Sequence, residues 1–302
     1  MTDIFRGKNI LVTGGAGFIG QHLAEKFVDG GHDLVVYDSR TAASRCKTIV
    51  GDIFNLAALQ QALEGIEAVV HLVGLADASI AQRDPAQSFK LNVESLLCVL
   101  EACRICRVQK LIFPSSAAVY GITEDLPIKE SFPLKPTNMY SWHKYLCEKL
   151  IRAYHDNYGI DFVILRLFNV YGRGNKGVIG VFVEKAQRGE TIESFGPRQY
   201  RDFVHVGDVA EALYKATIYD KATNRVINIG AGRGTQIREI LELVCEIFPN
   251  SRWVEKPTSF QMYDSIADIT LARILLDFEP HTSRDFMRKV IVEEIASSTG
   301  TQ

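Results

Sequence analysis

Short runs of almost uninterrupted apolar residues punctuate the first part of the chain: NILVT at 9–13, LVVY at 34–37, AVVHLV at 68–73, KLIF at 110–113 and FVILRL at 162–167. A strand with one face in water alternates apolar and polar positions; runs without alternation suit strands covered on both faces, which means a parallel sheet. Between these runs, segments 18–30, 55–64, 86–107 and 137–158 carry apolar residues at helical intervals. Strand and helix repeated in this way predict βαβ units and an α/β fold built on a doubly wound parallel sheet.

After about residue 170 the rhythm loosens into YGRGNKG, a helix-like stretch at 178–188 and then GPRQYRDFVHVGD. The pattern predicts a sheet domain over 1–170 and a smaller α/β lobe over 171–302, with segments at about 202–230 returning to the first domain. No Pro/Gly/Ser linker separates the two, so they are expected to share an interface and a cleft.

Composition narrows the function classes. The chain has 302 residues, 47% apolar and 23% charged, the profile of a soluble globular protein with enough length for a self-sufficient core. Lys plus Arg number 34 against 36 Asp plus Glu, so no broad field of either sign is available for nucleic acid or a membrane surface. No run approaches the ~18 apolar residues of a membrane span. The amino terminus, MTDIFRGKNI, lacks the apolar core of a secretory signal, and a cytoplasmic location is expected. Cysteines at 46, 98, 103, 106, 147 and 245 follow no framework spacing, as expected of reduced thiols. Cys103 and Cys106 form a CxxC inside a helix-like run with no second pair, so no metal centre is expected.

Two motifs carry chemistry. Gly14-Gly15-Ala16-Gly17-Phe18-Ile19-Gly20 follows the first strand directly and opens the first helix. There the backbone must turn sharply, approach a pyrophosphate closely and let helix pack on strand, while the helix amino terminus faces the phosphate charge. The sheet is therefore read as Rossmann-type. Asp38, eighteen residues past Gly20 at the end of the second strand, is placed to accept hydrogen bonds from the adenosine ribose and to repel a 2′-phosphate, which favours NAD; Arg40 and Arg45 nearby keep NADP open. Asp52 and Ile53 follow the third strand, where an adenine edge would lie.

The second motif is Tyr140-Ser-Trp-His-Lys144, 24 residues beyond Ser116. Four residues apart on a helix, Tyr140 and Lys144 share one face. An ammonium beside the phenol is expected to favour the phenolate and lower the Tyr140 pKa, making it a general acid/base. A second YxxxK, Tyr145 to Lys149, lies on a different face; Pro136 before the first copy and Glu148 after it single that copy out.

With TGGAGFIG, HLVG at 71–74, Asn92-Val93, SSAAVYG, YxxxK, RLFNVYG at 166–172, RDFVHVGDV at 201–209, NIG at 228–230 and ADI at 267–269 in this order, the chain resembles the extended short-chain dehydrogenase/reductase superfamily. The resemblance is to its nucleotide-sugar epimerase/dehydratase branch, closest to UDP-glucose (UDP-galactose) 4-epimerase-like enzymes. It implies Ser116, Tyr140 and Lys144 as catalytic residues. It implies NAD held by Gly14, Gly17, Phe18, Ile19, Gly20, Asp38, Asp52, Ile53, Leu72, Val73, Gly74 and Asn92 together with Tyr140 and Lys144. Substrate contacts are implied for Ser116, Asn169, Val178, Tyr200 and Arg201, with Asn169 and Arg201 on the diphosphate. Helices 86–107 and 137–158 resemble those that pair into a four-helix dimer interface, so a homodimer is expected.

The residues after Ser116 rank the family reactions. Dehydratases carry Asp-Glu in this segment for removing water, and decarboxylases a Glu; here both positions are alanine, Ala117 and Ala118. Epimerisation of a nucleotide sugar at C4, UDP-linked by preference, through a 4-keto intermediate ranks first. A nucleotide-sugar reductase, dehydrogenase or dehydratase is the alternative, and a non-catalytic dinucleotide sensor a remote one. The chain departs from the family pattern at His143, read either as an extra proton donor or as a packing residue, and at Tyr200. It departs again at Tyr263, where the second phosphate-binding arginine is usual, and at FNVYGRG and VIG, which lack the usual prolines.

Overall fold

The computed structural model describes residues 9–42, 45–175, 177–257 and 263–295. Residues 1–8, 43–44, 258–262 and 296–302 and Lys176 of the glycine-rich stretch lie outside the described residues. The apolar runs become strands β1 (Asn9–Thr13), β2 (Asp33–Asp38), β3 (Lys47–Val50), β4 (Ala68–His71), β5 (Lys110–Ser116) and β6 (Asp161–Leu167). Helices α1 (Phe18–Asp29), α2 (Leu56–Ala62), α3 (Ala78–Arg83), α4 (Pro85–Phe89), α5 (Ser95–Cys106) and α6 (Met139–Tyr158) connect them.

The chain continues through β7 (Asn169–Tyr171), α7 (Val178–Gln187), β8 (Thr191–Phe195), β9 (Tyr200–His205), α8 (Val206–Ile218) and β10 (Arg225–Ile229). It then forms β11 (Gly234–Gln236), α9 (Ile237–Ile247), β12 (Arg252–Lys256), α10 (Thr270–Leu276) and α11 (Arg284–Val290). Among the described residues, seven strands make one sheet in the order β10-β6-β5-β4-β1-β2-β3, every pairing parallel. Strand order reverses between β4 and β1, so the loops at the carboxyl ends of these strands border a crevice where α/β proteins bind ligands.

Both faces of the sheet are covered, which is why its strands do not alternate. Val12, Val36, Val70, Ile112 and Leu165 pack with Leu23 and Phe27 of α1, Leu213 of α8 and Leu276 of α10. Their neighbours Leu11, Val69, Leu111 and Ile164 pack on the opposite face with Leu59 of α2, Leu96 and Leu100 of α5 and Ile151 of α6. A separate core under α7, α9 and α11 contains Ile179, Val183, Ile240, Leu241, Val244 and Val290. Around it lie the three-stranded sheet β11-β9-β7 and the pair β12-β8.

The expected helix at 86–107 is not one α-helix. It runs as α4, a π-helical turn at Lys90–Glu94 and α5. The wider turn surrounds Asn92, whose amide nitrogen donates to Ser88 O at 3.0 Å and whose Oδ1 accepts from Leu75 N at 3.1 Å. A side chain recruited to a neighbouring loop is a recurrent setting for such π turns. All six cysteines are free, and among the described residues no helix is long and apolar enough to cross a membrane.

Candidate active site

The turn after β1 is built by its glycines. Gly14 has φ +74°, and a Cβ there would meet Val73 N at 2.8 Å; a Cβ on Gly20 would lie 2.5 Å from the Cα of Gly15. These contacts bring Leu72 and Val73 against Gly14 and the first turn of α1 against the loop, whose Gly17 stands at the N-cap of α1. The result is a cradle of backbone at a helix amino terminus, with room only for glycine, in the form that accommodates a pyrophosphate. Asp38 closes it from β2: Oδ2 accepts from Ala16 N at 2.9 Å and Oδ1 from Arg40 N at 3.0 Å. Arg45 turns away to Asp29, 2.5 Å distant, and so leaves the Asp38 carboxylate unopposed by its charge.

Gly51 N donates to Asp38 O at 2.9 Å, which sets Asp52 beside the same strand end; Ile53 sinks into the core below. Gly74 lies under Asn92, where a Cβ would approach Oδ1 to 2.7 Å. Phe18 and Ile19 are half-buried in the first turn of α1, and Gly174 from the second lobe comes close to the Phe18 ring. The glycine loop, Asp38 and Leu72–Gly74 thus lie together at the carboxyl ends of β1, β2 and β4.

On the other side of the sheet centre, Ser116 ends β5 and Asn138 starts α6 through a reciprocal cap with Ser141. The cap places the first turn of α6, and Tyr140 with it, beside Ser116, whose hydroxyl favours ionisation of the phenol. Lys144, one turn on, is buried and donates from Nζ to Pro114 O at 2.9 Å, with its ammonium 4.6 Å from the centre of the Phe113 ring. The electrostatics differ from expectation. Burial pushes the Tyr140 phenol up, and Ser116 offsets this only in part. The Lys144 ammonium is spent on the Pro114 carbonyl and is itself pushed down by burial, against a smaller upward pull from Cys147 and Glu148.

His143 is a packing residue: buried, its Nδ1 lies 2.9 Å from Ser88 Oγ and its ring meets Phe89 edge-on. The Tyr145–Lys149 pair is a cation–π contact of 5.1 Å, away from the strand end.

In the second lobe, Asn169, Val178 and Arg201 line one cleft of about 250 Å³ with Phe182, Glu193, Phe195, Gln199 and Ile237. Arg201 is oriented by Gln199 Oε1 at 2.9 Å, by Tyr263 O, and by the Tyr263 ring 4.7 Å from its guanidinium carbon. Tyr263 therefore supports the remaining arginine. Tyr200 does not line this cleft; it is exposed, with its backbone N–H donated to Asp264 at 2.9 Å.

Three buried polar residues escaped the reading by motif. Asp202 accepts from the backbone N–H groups of Ala231, Gly232 and Ala267, tying β9 to two later segments; burial pushes its carboxyl up to about 6 against those hydrogen bonds. His71 lies between Thr13 and Ser95. Glu148 had been noticed only as a spacing marker, yet it is paired with Arg166 at 2.8 Å.

Residues 10–230 match the model of the NAD dependent epimerase/dehydratase family. A putative UDP-glucose 4-epimerase of Methanocaldococcus jannaschii is 33% identical over 88% of this chain and 92% of its own length. Among solved structures, UDP-glucose 4-epimerase from Brucella ovis in complex with NAD is 30% identical with a TM-score of 0.89, covering 97% of this chain and 98% of that one. UDP-N-acetylglucosamine 4-epimerase from Methanobrevibacter ruminantium, in complex with UDP-N-acetylmuramic acid, is 27% identical with a TM-score of 0.88, covering 98% and 100%.

Proposed function

The chain belongs to the NAD dependent epimerase/dehydratase family, and on that premise we propose that it interconverts C4 epimers of a nucleoside-diphosphate sugar, UDP-linked by preference, through a transient 4-keto sugar. The observation that carries this reading is Tyr140 beside Ser116 at the end of β5, one helical turn from buried Lys144, with Ala117 and Ala118 and no acid in the strand-end turn. The glycine cradle and Asp38 fit NAD: the N–H groups of Phe18 and Ile19 in the first turn of α1 on the pyrophosphate, those of Gly14, Ala16 and Gly17 being donated to Tyr37 O, Asp38 and Gly14 O, with Asp38 on the ribose hydroxyls and Asp52 and Ile53 toward the adenine. Leu72 to Gly74, Asn92, Tyr140 and Lys144 complete the list toward the nicotinamide. When bound, NAD takes a hydride from the sugar carbon and returns it.

The protein's own groups do the rest. Tyr140, once ionised, accepts the proton of the sugar hydroxyl, and Ser116 donates a hydrogen bond to the oxygen that becomes a carbonyl. Lys144 holds the ribose side and adds positive charge behind the phenol. Asn169 and Arg201 hold the diphosphate, with Val178 beside the nucleotide. Rotation of the keto sugar in the cleft presents its other face, and Tyr140 returns the proton. We assign residues 1–170 to the cofactor domain and 171–302 mainly to the substrate lobe, with about 202–230 returning. α8 packing on the main sheet and β10 pairing with β6 support that division.

A homodimer and a cytoplasmic location belong to the same reading. Leu97 and Ile105 on α5, with Trp142, Leu146 and Tyr158 on α6, leave apolar surface on the two helices that would pair with a second copy; six free cysteines suit a reducing compartment. The test is incubation with UDP-, GDP- and dTDP-linked sugars, without added cofactor, followed by separation of epimers and observation of bound NADH absorbance. Formation of a C4 epimer is expected. A requirement for stoichiometric added NAD(P)H would overturn the reading in favour of a net reductase.

A further inference from the structure

Three consecutive residues of β5 are each gripped by a different turn of α6. Ser116 faces Tyr140; Pro114 O accepts from Lys144 Nζ at 2.9 Å; Ser115 Oγ donates to Glu148 Oε1 at 2.6 Å. The first two grips involve the groups assigned to chemistry. The third does not, and its carboxylate is 2% exposed, out of reach of any ligand.

Glu148 is itself held. Arg166 reaches it with a fork, Nε to Oε1 at 3.0 Å and Nη2 to Oε2 at 2.8 Å. Arg166 stands opposite Ser115 in the β5–β6 register, so donor, carboxylate and guanidinium lie together on one face of the sheet. Its remaining nitrogen, Nη1, donates to Tyr120 OH at 2.9 Å and to Glu130 O at 3.3 Å, and Tyr120 OH passes the chain to Asn228 Oδ1 at 2.7 Å. Asn228 pairs with Arg166 across β10 and β6 and anchors Ile128 O at 2.9 Å. The carboxylate is thereby held by three hydrogen bonds from two residues, with the α6 register referred to three strands of the sheet. Stability alone is a poor reason for such a pair, because well-packed apolar residues in place of a buried ion pair are often neutral or stabilising. Directional hydrogen bonds supply something apolar packing does not, a defined register.

We propose that Glu148, held by Arg166, is a positioning residue: it sets the register of α6 against β5 and so keeps Ser116, Tyr140 and Lys144 in the geometry hydride and proton transfer require. The proposal rests on the epimerase reading of the same site. The test compares Ser115→Ala, Glu148→Asp and the double variant Glu148→Met/Arg166→Met, the last removing both charges so that neither is left buried alone. Expected are kcat values lower by about tenfold or more with KM and bound NAD little changed, and a melting temperature of the double variant near that of the wild type.

A second readout needs no turnover: the ring-carbon NMR resonance of Tyr140 in 13C-tyrosine-labelled protein, assigned by its loss in Tyr140→Phe, reports the surroundings of the phenol beside Ser116 and is expected to move in all three. Wild-type kcat in the folded variants, or an unmoved resonance, overturns the proposal. If the wild type itself turns over no nucleotide sugar, the functional reading fails, and the resonance alone decides whether Glu148 positions Tyr140.

Discussion

At Tyr140 two opposing effects meet. Burial favours the neutral phenol, while Ser116 favours the phenolate. The proton-accepting role assigned to this residue predicts that Tyr140→Phe, which keeps the ring and removes the hydroxyl, lowers kcat by about 10²–10⁴-fold while NAD remains bound; undiminished epimer formation would refute the assignment. His71 gives a pH prediction. Burial, with Lys144 adding to it, holds its imidazole down to about 3 from an ordinary 6.5, so it stays neutral in the folded protein. Between those values the unfolded chain binds the extra proton, and stability falls as pH drops, by about 2 kcal/mol for the stretch from pH 6.5 to 5. Urea unfolding at pH 7 and pH 5 should show His71→Asn losing less stability than the wild type; parallel losses would refute it. The identities of Tyr140 and Lys144 were legible from their spacing. The direction of the Tyr140 shift was not, because burial dominates it, and burial is supplied by packing against other elements.

At the scale of elements, apolar runs located every strand from β1 to β6 except β3, and the reason is visible in β3 itself. It is an edge strand of four residues, KTIV, with neither end buried, so it has no sustained apolar run to read. The glycine turn was legible because its constraint is local in kind: a positive φ at Gly14 and backbone-to-backbone approach at Gly20 exclude side chains. Gly20→Ala should therefore force loop and helix apart. About tenfold or greater loss of NAD affinity is expected with the circular dichroism spectrum retained, and NAD content after gel filtration measures it. Wild-type retention of NAD would count against the loop as the pyrophosphate site. The π turn around Asn92 was not legible, since what widens the helix is a partner seventeen residues away, the backbone of Leu75.

For the whole molecule, α5 and α6 pose the question of what covers them. On α5, Leu96 and Leu100 are core, and Leu97 is 41% exposed. If this face pairs with a second copy, light scattering of the wild type should give twice the chain mass, and Leu97→Glu combined with Leu146→Glu should give the single mass with helical content retained. A wild-type monomer at micromolar concentration would refute the dimer. By itself the sequence determined the α/β class, the glycine turn, the acidic end of β2 and the shared helical face of Tyr140 and Lys144, because each follows from periodicity or from residue types at fixed local spacing; Ser116 entered through the family resemblance. Only the tertiary structure decided that Arg45 turns to Asp29, that Tyr263 supports Arg201, that Tyr200 stands outside the cleft and that Glu148 meets Arg166 and Ser115. Those pairings join residues distant in sequence, and a charged or aromatic side chain carries no local sign of which partner burial will bring to it.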